Sequence, residues 1–219
     1  MNFIYDTLGL ALAIALFGVA AWFSWILRAW LHRPGVTAWA ASYWSTASGI
    51  GLYLVHAHQE PGDLYLTALR NSLLMLGLGF QWIGCLRFVG RSAPAPLALA
   101  PVALYLGVLA PLSAHLQGRP FAFSVGGIPF LLHGAWVLGR NLHPVLARTG
   151  HIVVATLVVH GGFHAFRATV LAYQWERADL FLWISLGFLE AFPVLVTLAA
   201  AQWMLVEHRM ESLDVPSSR

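Results

Sequence analysis

The chain has 219 residues, 59% of them hydrophobic and only 10% charged, where soluble domains carry about 25% charged residues. That balance excludes an ordinary soluble protein. The twelve basic residues are all Arg and lie scattered at the ends of apolar runs, so the net charge of +3 reads as a membrane topology signal and excludes nucleic acid as a partner.

The length accommodates seven membrane helices of about 20 residues with short loops. The first span covers about 8–31 and is closed by Arg28, His32, Arg33 and the Pro34-Gly35 break. No basic stretch precedes it, so it reads as a retained helix and not as a cleaved signal peptide. The second, about 36–55, is rich in small residues. Ser45 and Gly49 form a small-xxx-small pair that favours close approach of a neighbour. A polar loop, 56–63, leads to the third span, about 64–89, which carries Arg70, Asn71 and Gln81 and ends at Arg87 and Arg91. The fourth, about 96–116, is apolar and contains proline. The fifth, about 121–138, holds His133. The sixth, about 150–173, contains His160-Gly161-Gly162-Phe163-His164-Ala165-Phe166-Arg167. The seventh, about 180–206, contains Glu190 and runs into a polar tail, 207–219. Residues 1–206 thus form one membrane domain, and 207–219 a cytoplasmic linker or the start of a signalling helix. Cys85 is the lone cysteine and forms no intrachain disulfide.

Charge orients the bundle. Loops and ends after the odd-numbered spans hold Arg28, Arg33, Arg87, Arg91, Arg140, Arg148, Arg209 and Arg219, against Arg119 and Arg177 on the other side. The positive-inside rule therefore places the N-terminus outside and the C-terminus in the cytoplasm of a bacterial inner membrane.

The ionisable residues left inside the membrane carry the functional question. His160, His164 and Arg167 share one helical face through their i, i+4, i+7 spacing. At about 1.5 Å per residue, Arg70 and Arg167 each lie about six residues from the outer end of their spans, and Glu190 about ten. Such groups face a bundle interior or a wet cavity. Three readings are open. Glu190 can pair with one arginine in a purely structural network. The two arginines can instead exceed the single carboxylate and hold an anionic group of a ligand with an apolar body, at a site of Arg70, Asn71, His160, His164, Arg167 and Glu190. Or His160 and His164, spaced to clamp a metal, can bind haem or a transition metal, with His133 as the further ligand. His133 and His160 differ in depth by about 5 Å. The chain has no phosphate-binding Gly-rich loop with lysine, no G-x-S-x-G and no H-E-x-x-H, so enzymatic activity is not expected.

The runs Asn71-Ser-Leu-Leu-Met-Leu-Gly77, Leu86-Arg-Phe-Val-Gly-Arg91, His164-Ala-Phe-Arg167 and Leu189-Glu190, with the last span continuing into Leu205-Val-Glu-His-Arg209, resemble the N-terminal multi-helix membrane sensor domains (MASE-like) found ahead of GGDEF domains in bacterial diguanylate cyclases. The resemblance implies an input module that signals through its last helix to a cytoplasmic output. Arg70, Asn71 and His164 to Arg167 are the positions it transfers. No GGDEF domain is present in this chain, and any cyclase activity would lie in such an output domain. The expectation is therefore an all-α, seven-helix transmembrane sensor, a homodimer in contact with membrane lipid, without a cofactor. It would bind a small anionic or amphipathic ligand and act on a cytoplasmic output domain or protein. A haem- or metal-binding protein with a redox or redox-sensing role is the alternative.

Overall fold

A computed structural model describes residues 35–57, 63–115, 117–141 and 147–173, with isolated positions 15, 18 and 22. The expected first and seventh spans, and Glu190 with them, lie outside the described residues. Among the described residues the fold is entirely helical. It comprises α1 (Val36–Ala57), α2 (Leu64–Phe88), a 3-10 turn (Ala95–Leu99), α3 (Ala100–Leu112), α4 (Gly118–Asn141) and α5 (Ala147–Tyr173). The second, third, fifth and sixth expected spans are each one helix. The fourth starts as the 3-10 turn and is shorter as an α-helix than its apolar run, because Pro94, Pro96, Pro101 and Pro111 crowd its two ends.

Helix ends follow local chemistry. The Asp63 carboxylate caps α2 by accepting from the backbone N–H groups of Tyr65 at 2.8 Å and Leu66 at 3.2 Å. At the other end Gly90 adopts φ +79°. Gly90 N–H then donates to the Arg87 carbonyl at 3.0 Å and Arg91 N–H to the Leu86 carbonyl at 2.9 Å, the paired bonds of a Schellman stop. Arg87 turns back and donates from Nε to the Ala93 carbonyl at 2.8 Å, fastening the link to the 3-10 turn.

Neighbouring helices alternate in direction. Along the α1/α2 seam, Gly49 meets Arg70 and Leu74, Gly77 meets Thr46, and Gly84 meets Trp39. Along α4/α5, Ser124 meets Arg167, Gly127 meets His164, and Gly139 meets Val154. Both pairs are antiparallel. By contrast α2 and α4 run parallel, with Leu78 against Gly127, Trp82 against His133 and Cys85 against Gly134. This order gathers Arg87, Arg91 and Arg140 at one end of the bundle and Asp63 and Arg119 at the other.

The core runs through the middle of these helices and includes Tyr43, Met75, Leu78, Tyr105, Leu138 and Leu157. The outer faces are apolar too. Ile152, Val158, Val159 and Phe166 of α5 are all exposed. Water disfavours such a face, and hydrocarbon suits it. Among the described residues, three segments, Ala95–Leu112, Gly118–Asn141 and Gly150–Tyr173, are long and apolar enough to cross a membrane.

Candidate functional site

The site is built on the α4/α5 seam. The spacing of His160, His164 and Arg167 puts all three on one face of α5, and that face is inside: they are 1%, 0% and 6% exposed. The two imidazoles stack, with ring centroids 4.8 Å apart and planes 28° from parallel. One turn further on, Arg167 donates from Nε to the Ser124 hydroxyl at 2.7 Å. The Ser124 hydroxyl in turn donates a hydrogen bond to the Pro120 carbonyl at 2.9 Å. A guanidinium only donates, so the 3.3 Å contact between Arg167 Nη2 and His164 Nδ1 makes that nitrogen an acceptor. The His164 proton then resides on Nε2, which faces α4 where Gly127 leaves room for it. A Cβ placed there would stand 3.4 Å from that nitrogen.

Aromatic faces complete the surroundings of the cation. The Arg167 guanidinium carbon lies 5.3 Å from the Phe123 ring centroid and 6.0 Å from that of Phe163, at cation–π range. Phe123 meets the Tyr105 ring edge-on at 6.3 Å. Tyr105 in turn accepts a 3.2 Å hydrogen bond from the Asn71 amide. The positive fields of Arg70 and Arg119 reach the same hydroxyl. A continuous path of contacts thus links Asn71 on α2, Tyr105 on α3, Phe123 and Ser124 on α4, and His164 and Arg167 on α5.

Of the expected site residues, the structure joins Asn71, His160, His164 and Arg167 through this path, and places half-buried Arg70 at its α2 end. Glu190 lies outside the described residues. His133 belongs elsewhere. It is exposed and accepts at Nδ1 from the Trp82 indole at 2.7 Å, whereas the α4 residues beside the His160 turn are Leu131 and Leu132, packed on Gly161. Among the described residues no three of His, Cys, Asp and Glu come together as metal ligands, so the His133–His160–His164 set is not assembled there. Ser124, Tyr105 and Arg119 were not read from sequence as site residues. Their signal was position: a hydroxyl in an otherwise apolar fifth span, a tyrosine midway along the fourth, and an arginine at the sparsely charged end.

Comparison of the chain with protein-family models, with curated proteins and with solved structures gave no match.

Proposed function

We propose that the chain is an integral membrane sensory input domain of a bacterial inner membrane. Seven spans, with the N-terminus outside, would surround a cationic centre that takes the carboxylate or phosphate of a small or amphipathic ligand. Arg70, Asn71, His160, His164, Arg167 and Glu190 line that centre. Ligand binding repacks the third, sixth and seventh spans, and the last helix passes the change to a cytoplasmic output domain or protein. The observation that carries the reading is Arg167, 6% exposed in a helix apolar enough to cross a membrane. Ionisable groups at such depth are costly and mark ligand or ion sites. Guanidinium recognises carboxylate and phosphate through paired donors. The sequence resemblance to GGDEF-associated sensor domains supports the signalling half of the proposal, and the gathering of Arg87, Arg91 and Arg140 at one end supports the orientation.

The test is a chimera carrying a reporter output after the last span, challenged with single-tailed carboxylates and phosphates. The parent responds to one of them, and Arg70→Gln and Arg167→Gln each lose the response. Full response in both variants overturns the anion site.

The stacked His160–His164 pair gives the haem or transition-metal reading its one structural support. A visible absorption band in the purified protein that vanishes in a His160→Gln, His164→Gln double variant would put that reading first.

A further inference from the structure

The end of the bundle opposite Arg167 carries a second polar cluster, on the outside of the helices. Trp82 of α2 donates its indole N–H to His133 Nδ1 at 2.7 Å. An imidazole that accepts at Nδ1 holds its proton on Nε2. That donor belongs to an exposed residue, and among the described residues no group accepts from it. His133 also stacks on Trp136 at 5.7 Å, and Trp136 is itself 49% exposed. The Arg140 guanidinium carbon lies over the same indole, 5.4 Å from its centroid. Positions 133, 136 and 140 fall on one stripe of α4 through i, i+3, i+7 spacing. Around them the exposed surface is apolar, with Leu132 41% exposed.

On a helix apolar enough to cross a membrane, this stripe meets lipid. An N–H without an acceptor is costly in hydrocarbon, and an exposed guanidinium needs a polar or anionic partner. The two needs stand at different depths. Arg140 is in the last turn of α4, and His133 is seven residues deeper, about 10 Å along the axis. The long arginine side chain, folded over Trp136, shortens that gap. A glycerophospholipid presents this sequence of acceptors: a phosphate at the surface and ester carbonyls just beneath it. A quinone or sterol brings no charge for Arg140, and a free phosphate brings nothing at the depth of His133.

We propose that Trp82, His133, Trp136 and Arg140 bind one anionic glycerophospholipid, with its phosphate on Arg140 and a glycerol ester carbonyl on the His133 Nε2–H. Trp136 packs against the glycerol region between them, as indoles do at membrane interfaces. Trp82 is a positioning residue, since its bond to Nδ1 turns the donor of His133 outward.

The test is native mass spectrometry of the delipidated protein titrated with diester phosphatidylglycerol, its diether analogue, phosphatidylcholine, inorganic phosphate and a quinone. The parent holds the diester anionic lipid, and prefers it to the diether form by about fivefold to tenfold, the worth of one hydrogen bond. Arg140→Gln lowers binding of both forms by about tenfold, the loss of a charge-assisted contact. His133→Phe abolishes the diester preference, because the diether has no carbonyl to accept. Arg91→Gln, an exposed arginine at the same end but outside the cluster, leaves binding unchanged. Arg140 is exposed, so Arg140→Gln should melt with the parent in detergent alone; His133→Phe also strands the Trp82 indole N–H, so it is read by its diester-to-diether ratio and not by absolute affinity. Equal binding of diester and diether lipid by the parent overturns the proposal, as does a loss in Arg91→Gln equal to that in Arg140→Gln. Retention of the quinone or of phosphate alone in place of the lipid does the same.

Discussion

The α1/α2 seam and the α4/α5 seam are both antiparallel helix pairs, yet they are held by different physics. Along α1/α2 the contacts are glycines against backbone and side chains of the facing helix. Gly77 lies on Thr46 and the Ser42 carbonyl, Gly49 on Leu74 and the Arg70 carbonyl, and Gly35, at φ +89°, so close to Gly84 that a Cβ there would stand 2.6 Å from its carbonyl oxygen. Close backbone approach of this kind drives helix association where hydrocarbon removes the hydrophobic contribution. Along α4/α5 the seam is filled by two imidazoles, a guanidinium, a hydroxyl and aromatic rings. The first seam brings glycines against Leu74, Thr46 and Trp39 of the facing helix. The second spends its buried space on groups that stabilise a fold poorly in hydrocarbon. That difference is the argument for function at α4/α5.

The largest effect that would sharpen the contrast comes from volume. Gly79 packs directly on the Ala98 backbone of the 3-10 turn, which has no flexible side chain to yield. Gly79→Val should destabilise by about 3 kcal/mol, read as a lowered unfolding midpoint in detergent. A variant as stable as the parent would show that the dry side of the bundle is looser than described. Next comes polarity at the α4/α5 seam. Ser124→Ala removes the acceptor of Arg167 Nε, leaving a buried charged donor short of a partner, and should cost about 1.5–3 kcal/mol. Asn71→Leu is smaller. It deletes one neutral hydrogen bond to Tyr105 and should cost about 1 kcal/mol. The smallest effect belongs to the lipid-facing side. Val159 is 61% exposed, and Val159→Ala should stay within about 0.5 kcal/mol. If it exceeds Asn71→Leu, that face is covered by another protein surface.

Much of this was legible in the residues. Apolar runs, the Pro34-Gly35 break, the polar loop 56–63 and the closing Arg87 and Arg91 placed four of the five described helices to within three residues of their observed ends. The stripe of His160, His164 and Arg167 was visible from spacing alone, since charge in an apolar helix must face inward. Its partners were not. Ser124 and Phe123 reach Arg167 because α4 and α5 adopt one register, and that register depends on where Gly127 and Gly161 let the helices meet, which spacing along one helix does not encode. His133 shows the same dependence on register. Its depth fitted a ligand to His160, but its rotational position on α4 turns it toward Trp82.

The most direct test of the central claim is ligand binding by purified Arg167→Gln beside Ser124→Ala. Both disturb the same buried seam, but only the first removes the cation. For a single-tailed carboxylate or phosphate that the parent binds, measured by equilibrium titration in nanodiscs, Ser124→Ala should retain affinity within about threefold. Arg167→Gln should lose about thirtyfold or more, as expected for a charge-assisted pair shielded from water. Affinity in Arg167→Gln equal to that of the parent would contradict the account and leave the α4/α5 charges with a structural role alone.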